Sequence, residues 1–189
     1  MAIKRSEFIE LLQDSPVIAA VKSDEDLKKA LSSECAIIFV LYGTILNLGD
    51  IINKAKASGR IVFVHADLIE GLTGKEISAD FIAETTKADG VISTRNNIIR
   101  RAKELHLLAI QRFFLLDSLA FSNVLKQANE PDVIDILPGT MPSVISRLCR
   151  QVRRPVIASG LLTEKNDIIA ALDSGATAVS TTCTDLWFV

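Results

Sequence analysis

The stretch PVIASGLLTEKNDIIAALDSGATAVSTT (155–182) contains one complete strand–helix–strand unit. PVIASG (155–160) is a short apolar run closed by a glycine, and Thr163 stands where it can cap EKNDIIAALDS. Gly175 follows that helix at the position where a left-handed residue is wanted, and ATAVSTT (176–182) resumes as a second apolar run. Two strands joined through a helix lie parallel in one sheet.

The same unit repeats back to the amino terminus. Apolar runs recur at VIAAV (17–21), AIIFVL (36–41), IVFVHAD (61–67), GVIST (90–94), LLAIQRFF (107–114) and VIDILP (133–138) before the two quoted above, eight in all. Helix signals fill the gaps. Ser23 with Asp26 resembles a capping box, Thr94 can cap RNNIIRRAKEL, Asp117 can cap SLAFSNVLKQA, and Pro142 suits a first helical turn. Eight βα units predict an α/β fold closed as a small (β/α)8 TIM barrel, with an open doubly wound sheet as the alternative. A leading helix at about residues 6–13, bearing Phe8, Ile9, Leu11 and Leu12, is expected to cap the N-terminal mouth. Only CTDLWFV follows the eighth run, so the last helix is truncated.

Composition agrees with a single barrel domain over residues 1–189. The chain is 49% hydrophobic and 23% charged with a net charge of −2, which excludes a disordered or collagen-like polymer. Mean hydropathy is +0.32. No apolar run approaches the ~18 residues of a spanning helix, so strands buried on both faces explain the value and no membrane partner is expected. Glu7 and Glu10 interrupt the leading segment, against a secretory signal. Cys35, Cys149 and Cys183 form neither a disulfide framework nor a zinc spacing, which points to a reducing cytoplasm.

In this architecture a site sits at the carboxyl ends of the strands, where polar residues accumulate. His65 and Asp67 leave the same face of a strand and Glu70 follows in the loop: a cluster that could ligate a divalent cation, act as an acid–base pair, or simply be packed and bonded to loop amides. Gly160, Ser180 and Thr181 end the last two strands, the usual place for a phosphate held by backbone amides and a short helix; Gly139 and Ser93-Thr94 could complete its wall. Arg112 within a strand needs a partner, either a ligand anion or Asp135 on the adjacent strand. No strand holds a lysine, and no Walker loop, GxGxxG or CxxC is present, so no catalytic set emerges. Residues 1–90 carry 10 basic and 14 acidic side chains, net −4; residues 91–189 carry 11 and 9, net +2. Arg147, Arg150 and Arg154, with Arg153 adjoining, share one helix face, and Arg95, Arg100, Arg101 and Lys103 form another group. Two such stripes on neighbouring outer helices could meet a phosphate backbone or be plain solvated faces.

HADLIEG (65–71), DGVIST (89–94), IQRFFLLDS (110–118), DILPG (135–139), ASGLL (158–162) and AVSTTCTDLW (178–187) together closely resemble the glycerol-3-phosphate-responsive antiterminator family of bacterial glycerol operons. Departures from the family pattern are Asp135 in place of a glutamate, Ala158-Ser159-Gly160 in place of paired glycines, and Thr182 in place of a serine. The resemblance implies a non-enzymatic cytoplasmic regulator without cofactor or metal. It would sense glycerol 3-phosphate as effector and bind a leader mRNA so that transcription passes a terminator. The effector is then expected at Gly160, Ser180 and Thr181 with Gly139, its hydroxyls addressed by Asp67 and Glu70, with His65 and Arg112 as further polar contacts. Arg100, Arg101, Arg147, Arg150 and Arg154 become the candidates for RNA, and a homo-oligomer is open. The rival expectation is an enzyme acting on a phosphorylated three-carbon compound, with His65, Asp67 and Glu70 holding a cation.

Overall fold

The computed structural model describes residues 3–189. After a leading helix α1 (Arg5–Asp14), strands and helices alternate: β1 (Val17–Val21), α2 (Asp24–Ser32), β2 (Ile37–Val40), α3 (Leu48–Ala57), β3 (Ile61–His65), α4 (Ile77–Thr85), β4 (Gly90–Ser93) and α5 (Asn96–Glu104). The second half continues with β5 (Leu108–Phe114), α6 (Ser118–Gln127), β6 (Val133–Leu137), α7 (Pro142–Cys149), β7 (Val156–Ser159), α8 (Lys165–Asp173) and β8 (Ala178–Thr181). All strand pairs are parallel, and β8 returns to β1 with Ile18 opposite Ser180, which closes the barrel in the order β1 to β8. The protein is therefore a (β/α)8 TIM barrel.

Alternation along each strand divides its side chains between two cores. Ile18, Ile37, Phe39, Phe63, Ile92, Ile110, Val133, Ile157 and Ala178 point inward and are buried, and Phe8 and Leu12 of α1 join them from below. The expected N-terminal cap is thus observed: Phe8 packs against Phe63 with ring centroids 4.9 Å apart and the rings tilted by 39°. Gly90 makes room for this plug, since a Cβ there would collide with the Phe63 ring and the Leu108 carbonyl. Outward residues such as Ile38, Val40, Val62, Val64 and Val91 pack beneath the helices. Burial on both faces is the physical cause of the positive mean hydropathy.

Helix ends follow local chemistry. Ser23 Oγ accepts from Asp26 N and Asp117 Oδ1 from Ala120 N, and Pro142 opens α7, all as expected. Gly175 follows the end of α8 at φ +102°. Two caps differ. Arg95, not Thr94, precedes α5, because Asp67 captures the N–H and hydroxyl of Thr94. Glu164, not Thr163, precedes α8, because Asp167 reaches back to the N–H groups of both residues. Beyond β8 a 3-10 turn, Thr184–Phe188, replaces a full helix. Trp187, 2% exposed, anchors it by donating Nε1–H to Thr181 O at 3.0 Å.

Candidate ligand site at the carboxyl mouth

Where the inward positions reach the carboxyl ends of β5 to β8 they change from apolar to polar. Arg112, Asp135, Ser159 and Ser180 occupy the layer above Ile110, Val133, Ile157 and Ala178. Arg112 lies directly opposite Asp135 in the β5–β6 register and donates Nε–H to its Oδ2 at 2.6 Å. Ser159 Oγ donates to Asp135 Oδ1 at 2.5 Å and contacts Ser180 Oγ at 2.6 Å. This four-residue chain crosses half the barrel under a cavity of about 360 Å3. Ala20, Leu41, Leu137, Leu162 and Cys183 give the cavity apolar walls, and Gly160, Leu161 and Thr182 form its rim.

Of the two roles expected of Arg112, the pairing with Asp135 is present. The Arg112 side chain is 9% exposed, paired to a fully buried carboxylate, and it also lines the cavity. Among the described residues only its Nε is hydrogen-bonded, so the two terminal nitrogens have no protein partner. A guanidinium in that state is built to receive an anion in bidentate fashion.

Other expected residues are placed differently. Gly160 and Ser180 line the cavity. Thr181 reaches it as well, but on an outward strand position: its hydroxyl donates to Leu162 O at 2.9 Å and accepts from Cys183 N. Gly139 does not line the cavity; its N–H is given to Gly160 O at 3.0 Å, and a Cβ there would press on Ser159 N. Its part is to let the loops after β6 and β7 approach. Asp67 ties two loops together, accepting from Ser93 Oγ, Thr94 N and Thr94 Oγ1 at 2.7–3.0 Å. The carboxylate is thereby occupied, as are Ser93 and Thr94. Glu70 holds the loop after β3 to the loop after β2 through its main chain, with a parallel bridge to Thr44.

His65 is 3% exposed, with Nδ1 lacking a hydrogen-bond partner and 4.0 Å from Asp67 Oδ2. Burial, and then the positive charge of Arg112, push its pKa down to about 4 against the opposing pull of Asp67, so the imidazole is neutral at pH 7. Among the described residues no three His, Cys, Asp or Glu side chains converge as a metal set. The cation cluster expected from His65, Asp67 and Glu70 is not assembled, because Asp67 turns its oxygens to the β4 loop.

The basic groups also separate. Barrel order puts α6 between α5 and α7, so the two stripes are not on neighbouring helices. On α5, Arg100 pairs with Glu130 at 3.1 Å, and Arg101 pairs with Asp80 at 2.6 Å and Glu104 at 2.8 Å. The Arg101 hydrogen bond holds the Asp80 carboxyl below its usual range. The expected single helix face is not formed, because α7 ends at Cys149: Arg147 is helical, Arg150 caps the helix and Arg154 lies in the loop before β7, and none of the three forms an ion pair among the described residues. The Arg147 guanidinium lies 4.0 Å from the Phe121 ring centroid, and Arg154 donates to Asn129 O.

Ser159 is a member of this floor that the sequence motifs do not single out. Its signal was the strand alternation that also sets Ser180 inward and Thr181 outward.

Fold and cavity together define a small TIM barrel with a guanidinium-floored cavity at its carboxyl mouth. The chain belongs to the glycerol-3-phosphate responsive antiterminator family, whose family model matches residues 17–187. A glycerol uptake operon antiterminator regulatory protein from Listeria monocytogenes str. 4b F2365 superposes with a TM-score of 0.88 at 34% identity, over 92% of this chain and 95% of that one. A glycerol uptake operon antiterminator-related protein from Thermotoga maritima MSB8 gives 0.82 at 30% identity, over 92% and 98%. The uncharacterized protein YgcP of Escherichia coli (strain K12) is 41% identical over 95% of both chains.

Proposed function

We propose that this chain is a non-enzymatic cytoplasmic antiterminator that binds glycerol 3-phosphate in the carboxyl-mouth cavity and, when liganded, binds the leader mRNA of a glycerol-utilisation operon. The observation that carries the effector assignment is Arg112: a buried guanidinium, positioned by Asp135, with its terminal nitrogens unengaged in a cavity of about 360 Å3. That volume suits a phosphorylated three-carbon polyol, and the family description supplies the ligand's identity.

Support for the RNA surface comes from Arg147 of α7 with Arg150 and Arg154 just beyond it, which carry charge unneutralised by carboxylates, whereas α5 compensates its own. Helix α7 also joins two of the strands whose ends touch the cavity, through Leu137 of β6 and Ser159 of β7. A ligand that binds the RNA-competent arrangement of this segment more tightly than the alternative shifts the population toward it.

The test is an isothermal titration with glycerol 3-phosphate, followed by leader-RNA binding with and without it. Saturable one-site binding and tighter RNA binding in its presence are expected. RNA affinity indifferent to glycerol 3-phosphate at every salt concentration overturns the coupling.

A further inference from the structure

The polar chain beneath the cavity has a direction. Asp135, as the carboxylate partner of Arg112, accepts hydrogen bonds and donates none. Ser159 Oγ lies between Asp135 Oδ1 at 2.5 Å and Ser180 Oγ at 2.6 Å. A hydroxyl carries one hydrogen, and the charge-assisted contact to the carboxylate takes it. Ser159 therefore meets Ser180 with a lone pair, and Ser180 must be the donor between them. With its hydrogen turned toward Ser159, Ser180 offers only acceptor lone pairs to the cavity it lines. Arg112, on the same floor, offers only donors. The cavity floor thus has an acceptor hydroxyl, Ser180, on β8 and a donor guanidinium, Arg112, on β5. The Ser180 hydroxyl then has no hydrogen to give a phosphate oxygen, which Arg112 can bind, while an alcohol O–H suits Ser180.

Resting on the assignment of this cavity as the effector site, we propose that Ser180 accepts a hydrogen bond from a ligand hydroxyl while Arg112 takes the phosphate. The site then selects phosphorylated polyols over alkyl phosphates of the same length. Ser159 is a positioning residue: it orients Ser180 by using its own hydrogen on Asp135. The expected place of the phosphate at Ser180 is replaced by a hydroxyl subsite there.

Titration of the full chain with glycerol 3-phosphate and with propyl phosphate, which keeps the phosphate and chain length and lacks both hydroxyls, tests this. Wild type is expected to prefer glycerol 3-phosphate by tenfold or more, because a site built around a hydroxyl leaves its acceptor unpaired with the deoxy analogue. Ser180→Ala should weaken glycerol 3-phosphate and leave propyl phosphate within about twofold. Ser159→Ala retains Ser180 but frees its hydrogen, so the preference should fall although the contact residue is unchanged. This second variant decides the matter if the first fails to melt cooperatively.

Equal weakening of both ligands by Ser180→Ala overturns the proposal, since Ser180 would then touch the phosphate. Equal wild-type affinity for the two ligands overturns it while leaving the effector assignment standing. If glycerol 3-phosphate fails to bind but erythritol 4-phosphate binds tenfold better than butyl phosphate, the effector assignment falls and the hydroxyl subsite stands. Binding of none of these overturns both.

Discussion

Arg112 and Asp135 sit opposite each other on β5 and β6, joined by a 2.6 Å bond from Nε to Oδ2 with the carboxylate fully buried. The pair holds the guanidinium in place at the floor of the cavity that Arg112 lines.

Removing one partner from such a pair leaves an uncompensated buried charge, which costs ~3–5 kcal/mol. Asp135→Ala is therefore expected to lower unfolding stability by about that amount in urea denaturation, with weaker phosphate-ligand binding in whatever fraction remains folded. A change below ~1 kcal/mol would show that water replaces the carboxylate easily and that the floor is not rigid.

The cap made by α1 is a packing contribution. Phe8→Ala removes a fully buried ring packed against Phe63 and is expected to cost ~3–5 kcal/mol, read as a lower urea midpoint with ligand affinity nearly unchanged, since the cavity lies at the opposite mouth. Loss of ligand binding in a still-folded variant would contradict this separation.

His65 gives the fold a pH signature. Its folded pKa of about 4 lies below the ordinary 6.5, so the unfolded chain binds a proton that the folded chain refuses. This contribution is intact above pH 6.5 and is lost as pH falls toward about 4, at ~1.4 kcal/mol per pH unit. Over the interval the loss is about 3 kcal/mol. His65→Gln, which has no such proton, should lose less stability over the same window. Parallel stability profiles for wild type and variant, each followed by denaturant unfolding, would remove His65 from the account.

For the RNA surface, replacing Arg147, Arg150 and Arg154 together by alanine should reduce the salt slope of leader binding by about 2, at ~0.7 per phosphate contact for single strands. The matched substitution of Arg100 and Arg101, whose charges are paired, should change it less. An unchanged slope in the α7 variant places the RNA elsewhere.

Eight βα units and the α1 cap were legible because burial patterning is local: alternating apolar strands and capped helices announce themselves within a few residues. The Arg112–Asp135 pairing was also within reach, since adjacent parallel strands and a charge in a strand leave few options. The capping residues at Arg95 and Glu164 were not, because Asp67 and Asp167 compete for Thr94 and Thr163 from outside the cap position. Nor was the fate of the His65, Asp67 and Glu70 cluster. Sequence spacing puts His65 and Asp67 on one strand face, but a 3-10 turn over Ala66–Leu68 breaks that alternation and sends Asp67 to Ser93 and Thr94.

Sequence alone determined the barrel and its polarity, because the energy that specifies them, apolar burial at fixed periodicity, is written along the chain; the family was legible in strand-end motifs such as HADLIEG (65–71) and DILPG (135–139). Tertiary structure alone decided which polar groups at the carboxyl mouth remain free to meet a ligand. Each hydroxyl, amide and carboxylate there is used or left available according to partners some twenty residues away, such as Thr181 with Leu162 and Ser159 with Asp135. Hydrogen-bond saturation is a property of the assembled mouth, and it reduced a long row of polar strand ends to a cavity floored by Arg112 and Ser180.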